Sequence, residues 1–368
     1  MSSGREPGAL SMLPVTMKAV LLRGHGDFEQ LDLRDDVPVP QPAAGEVLLQ
    51  VLAAAVNNTD INTRIGWYSR SVTGDTASAS GQARASADDG GWTGSAFVFP
   101  RIQGTDVCGR VVAVGAGVDP GRIGGRVLVD PVLRSRSGSP AQAGFLGADR
   151  DGGFAEFVTV PAVNAHVVTT TLSDAELATF PCSYSAAENM IDRAEVRAGQ
   201  TVLVTGASGG VGSAAVQLAV RRGATVVALA HPSKASDLEA LGARRVLPRD
   251  ADLLAALGSE SVDVVVDAVG GAQFPAFLAV LQRGGSYAVA GAIAGPLVEL
   301  DLRTLYLKDL RLLGCTVTPP HVFENLVRYV ERGEIRPLVS ATYPLAQIVA
   351  AQAAFLKKAH TGKIVLLP

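Results

Sequence analysis

Thr205-Gly206-Ala207-Ser208-Gly209-Gly210-Val211-Gly212 follows a short apolar run, Val202-Leu203-Val204, and opens a segment, Val211–Arg222, with apolar residues at helical spacing. A strand, a glycine-rich turn and a helix in that order build a phosphate cradle. Gly206 permits the tight turn, Gly209 lets a pyrophosphate approach the backbone, and Gly212 allows the helix to pack closely on the sheet. Free N–H groups at the helix start then face the phosphates, aided by the helix dipole. The spacing is G-x-x-G-x-x-G, one glycine displaced by a residue from G-x-G-x-x-G, so the flanking β-α-β pattern carries the reading. It implies a nicotinamide dinucleotide held on Gly206, Ala207, Ser208, Gly209, Gly210, Val211 and Gly212.

Downstream the rhythm continues. Thr225–Ala230, Val262–Val269, Ser286–Ala290 and Leu310–Val317 read as strands, and Lys234–Leu241 and Phe274–Leu281 as helices. Repeated β-α units of this length imply a parallel sheet covered by helices on both faces. Upstream, Lys18–Leu22, Glu46–Ala53 and Arg110–Gly115 are short Val- and Leu-rich runs punctuated by Gly and Pro, which read as β structure. Between them, residues 71–91 carry almost no large apolar side chain, so residues 70–97 are expected to form a mobile lid or a tolerated surface insertion. After Pro319 come a helical run, Val322–Glu331, and a final strand from Gly362, expected to return to the first part of the chain.

The 368 residues, 48% hydrophobic and 18% charged, provide core for two domains. A net charge of −3 argues against a nucleic-acid partner, which needs clustered positive surface. No apolar run reaches the ~20 residues of a membrane span. Residues 1–16 contain one cation, Arg5, and no apolar signal core, so a flexible leader is expected. Cys108, Cys182 and Cys315 form no Cys-x-x-Cys pair, which fits buried thiols and a cytoplasmic location.

Cofactor choice is read where the second strand ends, Leu229-Ala230-His231-Pro232-Ser233-Lys234. An acid there would bind the ribose 2′-hydroxyl of NAD and repel a 2′-phosphate. None is present. Ser233 can donate a hydrogen bond, Lys234 offers a charge and His231 assists when protonated, so NADP(H) is expected; Lys234 also reads as a solvated first-turn residue. Asp267-Ala268-Val269-Gly-Gly and Ala290-Gly291-Ala292-Ile-Ala-Gly lie at the carboxyl ends of strands. Small residues there, Ala268, Val269, Gly291 and Ala292, let backbone approach the ribose and nicotinamide.

Further landmarks are Pro42-x-x-Gly45-Glu46-Val47, Val56-Asn57-Asn58-Thr59-Asp60, Arg64-Ile-Gly66-Trp-Tyr68, Ile102-Gln-Gly104-Thr-Asp-Val-Cys-Gly109, Gly152-Gly-Phe-Ala-Glu-Phe157, Leu241-Gly-Ala243 and Thr361-Gly-Lys-Ile-Val365. Together and in order, from Met17 to Pro368, they resemble the medium-chain dehydrogenase/reductase superfamily, nearest its zinc-independent quinone oxidoreductase branch. The resemblance implies an α/β architecture: a GroES-like β-rich catalytic domain from residues 17–168 and 319–368, and a Rossmann doubly wound parallel-sheet domain from residues 169–318. Zinc-dependent members hold their metal with Cys, a Gly-His-Glu motif and a second Cys. By resemblance those positions are Asn57, Thr105, Asp106 and Cys182, too few ligand types for catalytic zinc, so no metal is expected.

Without a Lewis acid to stabilise an alkoxide, reduction of a quinone or α,β-unsaturated carbonyl is the expected chemistry. Charge then collects on the carbonyl oxygen, where hydrogen-bond donors stabilise it. By resemblance Tyr68 and Asn57 lie beside the nicotinamide and are the candidate catalytic donors; both also admit structural roles, and Asp60 reads as a helix-start residue. Two other readings stay open: an alcohol dehydrogenase with a degenerate metal site at Cys182 and Asp106, and a non-catalytic NADPH-binding sensor or partner protein. The resemblance further implies a homodimer, paired through a strand near Ser286–Ala290.

Overall fold

The computed structural model describes residues 13–76, 91, 96–134 and 142–368. The expected leader and the expected lid or insertion at 70–97 lie largely outside these residues. No helix among the described residues is long and apolar enough to cross a membrane.

The glycine loop leaves the middle of a six-stranded sheet in which every pairing is parallel. In space the strands run Arg245–Leu247, Thr225–Leu229, Thr201–Val204, Val262–Asp267, Leu281–Val289 and Arg311–Gly314. Numbered along the chain this is the order 3-2-1-4-5-6 of a dinucleotide-binding sheet. The strands are apolar on successive residues because both faces are covered. Val202, Val204, Val226, Val264 and Val266 face a core with Ala214, Leu218, Met190 and Phe323. Leu203, Val227, Leu229 and Val265 face the other way, onto Phe274, Phe277 and Leu278.

Two readings change here. The strand expected at Ser286–Ala290 begins at Leu281 and is interior, bonded to Val264–Asp267 on one side and Arg311–Gly314 on the other. Both its edges are paired within the sheet; the outer strands are Arg245–Leu247 and, beside it, Arg311–Gly314. The helix Pro181–Arg193 was not read from sequence, although Pro at its first position suits a helix start.

The second sheet is built on Glu46–Ala55. Asp106–Val114 pairs along one side, and the other side is shared by Phe157–Pro161 and the final strand Lys363–Leu367. The chain end thus returns to the first part of the chain, with Val365 opposite Ala55 and Leu366 opposite Ala54. That return carries Lys363 to the seam between the sheets.

Candidate active site

Strand order reverses between Thr201–Val204 and Val262–Asp267, and a crevice opens at their carboxyl ends. Gly206 adopts φ +54, and Gly212 lies so close to the turn that a Cβ would sit 2.2 Å from the Gly206 carbonyl oxygen. The helix Gly210–Arg221 starts from Gly209, which has no side chain to cap the first N–H groups. Those donors are left for a ligand. Thr205, Gly206 and Ser208–Gly212 line the cleft with Leu229, Arg249, Ala268, Val269, Lys358 and His360. Uncapped donors, cations and no lining carboxylate fit a dinucleotide pyrophosphate.

The second strand ends differently from expectation. His231, Ser233 and Lys234 form an exposed turn that bonds to itself and its neighbour: His231 Nδ1 lies 2.9 Å from Ser233 Oγ, and Lys234 Nζ donates to the Ala359 carbonyl at 2.5 Å. None of the three lines the cleft, whose wall there is Leu229 and Arg249. Arg249 has no ion-pair partner among the described residues. Ala268 and Val269 line the cleft, and Gly291 and Ala292 line an adjoining pocket with Asn57, Thr59, Tyr68, Cys182, Ser183 and Lys363.

That pocket ends on a buried polar cluster. The Lys363 ammonium lies 2.7 Å from Asp106 Oδ2 and 3.2 Å from Ser183 Oγ, and also donates to Asn57 Oδ1. Asp106 is fully buried; its other oxygen accepts the Cys182 N–H at 2.6 Å, at the start of the helix Pro181–Arg193. The Asn57 amide donates to Asp106 Oδ2 at 2.8 Å, Thr105 Oγ1 at 3.0 Å and the Ala55 carbonyl at 3.2 Å. Its donors are therefore committed within the cluster. Asn57 also starts the helix Asn58–Arg64, where its N–H donates to Asp60 at 2.7 Å. Burial raises the Asp60 carboxyl to about 7.

Tyr68 also lines the pocket and donates to Thr59 Oγ1 at 3.0 Å. Burial pushes its phenol up to about 12, so it keeps its proton at neutral pH. Burial and Asp106 push the Cys182 thiol to about 12 as well. Among the described residues no group of three or more His, Cys, Asp or Glu is placed to hold a metal ion. Lys363, Ser183, Arg249 and Lys358 were missed as site residues. Lys363 had a signal: a lysine leading the apolar strand Lys363–Leu367 is buried only if paired.

The chain matches the family model described as alcohol dehydrogenase GroES-like domain over residues 43–170, and that described as zinc-binding dehydrogenase over residues 210–332. The second span excludes Asn57, Thr105, Asp106 and Cys182, so its description does not bear on them. An acryloyl-coenzyme A reductase of Metallosphaera sedula is 30% identical over 363 residues, 95% of this chain and 99% of the relative. A quinone oxidoreductase of Rattus norvegicus is 27% identical over 95% of this chain and 98% of its own. A solved structure of a candidate alcohol dehydrogenase from Sinorhizobium meliloti 1021 is 49% identical, with a TM-score of 0.87 over 97% of this chain and 98% of that one. The parallel sheet with its glycine loop, the β-rich sheet closed by the chain's own end and these full-length matches agree: the chain is an oxidoreductase of the medium-chain dehydrogenase/reductase superfamily.

Proposed function

We propose that this chain is a metal-independent, NADPH-dependent reductase of α,β-unsaturated carbonyls or quinones. The carrying observation is the Lys363 ammonium, seated among Asn57, Asp106 and Ser183 where zinc-dependent relatives gather their metal ligands. Its charge is matched to Asp106, and the remaining groups, the Asn57 amide, the Thr105 and Ser183 hydroxyls and the single thiol of Cys182, are not a zinc set. The names of the acryloyl-coenzyme A and quinone relatives support reduction of a conjugated system, and the Sinorhizobium meliloti neighbour's alcohol dehydrogenase description is the competing reading.

A bound dinucleotide supplies the hydride. The chain's part is to hold the negative charge that gathers on the substrate oxygen and to deliver a proton. Ser183, whose Oγ accepts from Lys363 and donates to Asn57 Oδ1 at a long 3.4 Å, lies on the pocket wall and turns that hydroxyl to the substrate oxygen, with the ammonium charge behind it. Tyr68 and Thr59, which line the same pocket, form a protonated relay. Asn57, its amide committed to Asp106 and Thr105, positions the lysine. Reduction with 4-deuterated NADPH is expected to leave deuterium on the substrate β-carbon and solvent hydrogen on the α-carbon. Deuterium on a carbonyl carbon would instead mark an alcohol dehydrogenase.

NADP(H) preference is assigned to Arg249, the guanidinium at the Leu229 end of the cleft. Charge-assisted bonds of about 1.5–3 kcal/mol imply that Arg249→Ala weakens NADPH binding roughly 10–100-fold while leaving NADH within about twofold. Equal losses for both cofactors, measured by fluorescence titration, would refute the assignment.

A homodimer is proposed through the outer strand Arg311–Gly314, the one of the sheet's two edges next to Leu281–Val289. It is flanked by Leu302, Tyr306 and Leu307, each more than half exposed, and itself presents Leu312. Light scattering is expected to give a dimer mass that Leu312→Glu reduces to a monomer. A monomeric parent protein removes the claim.

A further inference from the structure

Lys358, like Arg249, is a cation of the dinucleotide cleft with no ion-pair partner among the described residues. It follows the helix Ile348–Leu356, with φ +51, and its Nζ donates to Asn58 Oδ1 at 2.8 Å. The ammonium lies over the Phe355 ring, 3.7 Å from its centre. An ammonium can donate three hydrogen bonds, and the Asn58 amide oxygen takes one. Lys358 lines the same cleft as the uncapped N–H groups of Gly210–Gly212.

The neighbouring charges are all of its own sign. Lys363 acts on it from the final strand, and its charge is matched to Asp106 rather than shared with Lys358. His360, two residues on, faces Lys358, Lys363 and Lys234. Arg249, a further cation, lines the same cleft. Asn58 and Phe355, from the two helices packed against it, are uncharged, and no described carboxylate contributes to its surroundings.

We propose that Lys358 is the counter-charge of the cofactor's pyrophosphate and that dinucleotide binding draws a proton onto it. The inference rests on the dinucleotide-binding reading and adds a residue and a proton to it. Geometry supplies the case: a half-buried amine with two open donor positions, in a cleft whose helix start offers N–H groups to the same anion. Burial first, and Lys363 second, hold the amine down to about 7 in the free protein. A bound dianion opposes both effects and returns it toward the ordinary lysine range near 10.4. The sign follows from linkage. The bound state holds more protons, so affinity is greatest below pH 7 and falls as pH rises through the free-state value.

The test is calorimetric titration of the full-length protein with NADH and with NADPH, repeated in buffers of different ionisation enthalpy. At pH 8 the expected uptake is close to one proton per dinucleotide, vanishing near pH 5.5. The Kd is expected to rise about tenfold per pH unit between pH 7.5 and 9. NADH isolates the pyrophosphate, because it lacks the 2′-phosphate; uptake with NADPH alone would overturn the assignment. Lys358→Met is expected to abolish uptake and flatten the pH dependence. Lys358→Arg, charged throughout, is expected to bind tightly at pH 9 without uptake. Persistence of uptake in Lys358→Met, or its loss in His360→Gln, would overturn the proposal in favour of His360. Binding without uptake rejects Lys358 alone, whereas no binding of either dinucleotide rejects the underlying reading.

Discussion

Lys363→Met is expected to cost about 3–5 kcal/mol of stability and roughly 10²–10³-fold in kcat. The two effects have different origins. Lys363 and Asp106 are 3% and 0% exposed, so removing the ammonium strands a carboxylate in the interior with only the Cys182 N–H and the Asn57 amide to hold it. For a chain of this size the loss corresponds to a fall in Tm of ~4–6 °C. The catalytic loss comes from removing the fixed charge behind Ser183. Lys363→Met/Asp106→Asn separates them: Asn keeps an acceptor for the Cys182 N–H and has no charge to strand. The double variant is expected to regain most of the Tm while kcat stays low. Recovery of both would make Lys363 purely structural and remove the charge from the proposed mechanism.

The glycine loop gives the second large effect. At Gly212 a Cβ meets backbone, 2.2 Å from the Gly206 oxygen and 2.6 Å from the Ala207 Cα, and backbone cannot rotate aside. Gly212→Ala is therefore expected to open the turn, lowering stability by about 1–3 kcal/mol and dinucleotide affinity at least ~100-fold. At Gly209 the nearest atom to an added Cβ is the Gly206 oxygen at 3.4 Å, an ordinary contact, and φ is −76. Gly209→Ala is expected to keep the parent Tm yet bind dinucleotide weakly, because its methyl group occupies the cleft. Thermal melts with and without NADPH read both quantities. Unchanged affinity in Gly209→Ala would show that the pyrophosphate does not pass over this residue.

What could be read in advance divides along a physical line. Strands such as Val202–Val204 and Val262–Asp267 are legible because burial on both faces demands continuous apolar residues. Gly206 and Gly212 are legible because backbone conformation and close approach leave no substitute. Long-range partners carry no local signal. Lys363 and Asp106 are 257 residues apart in sequence (363 − 106), and only strand pairing between the chain end and Glu46–Ala55 joins them. The same holds for the sheet edge, where periodicity identified Ser286–Ala290 as a strand without showing which neighbours it would have. At the end of the second strand, His231–Lys234 had the right chemistry for a phosphate, but the turn places it on Ala359 and leaves Arg249 beside Leu229.

Metal-independent reduction of a conjugated system is measured as NADPH oxidation with a panel of enones and quinones, using protein treated with chelator and checked for bound metal. The expected result is turnover of at least one conjugated carbonyl or quinone at a rate unchanged by chelator. No turnover across the panel, alongside chelator-sensitive oxidation of alcohols, would contradict it.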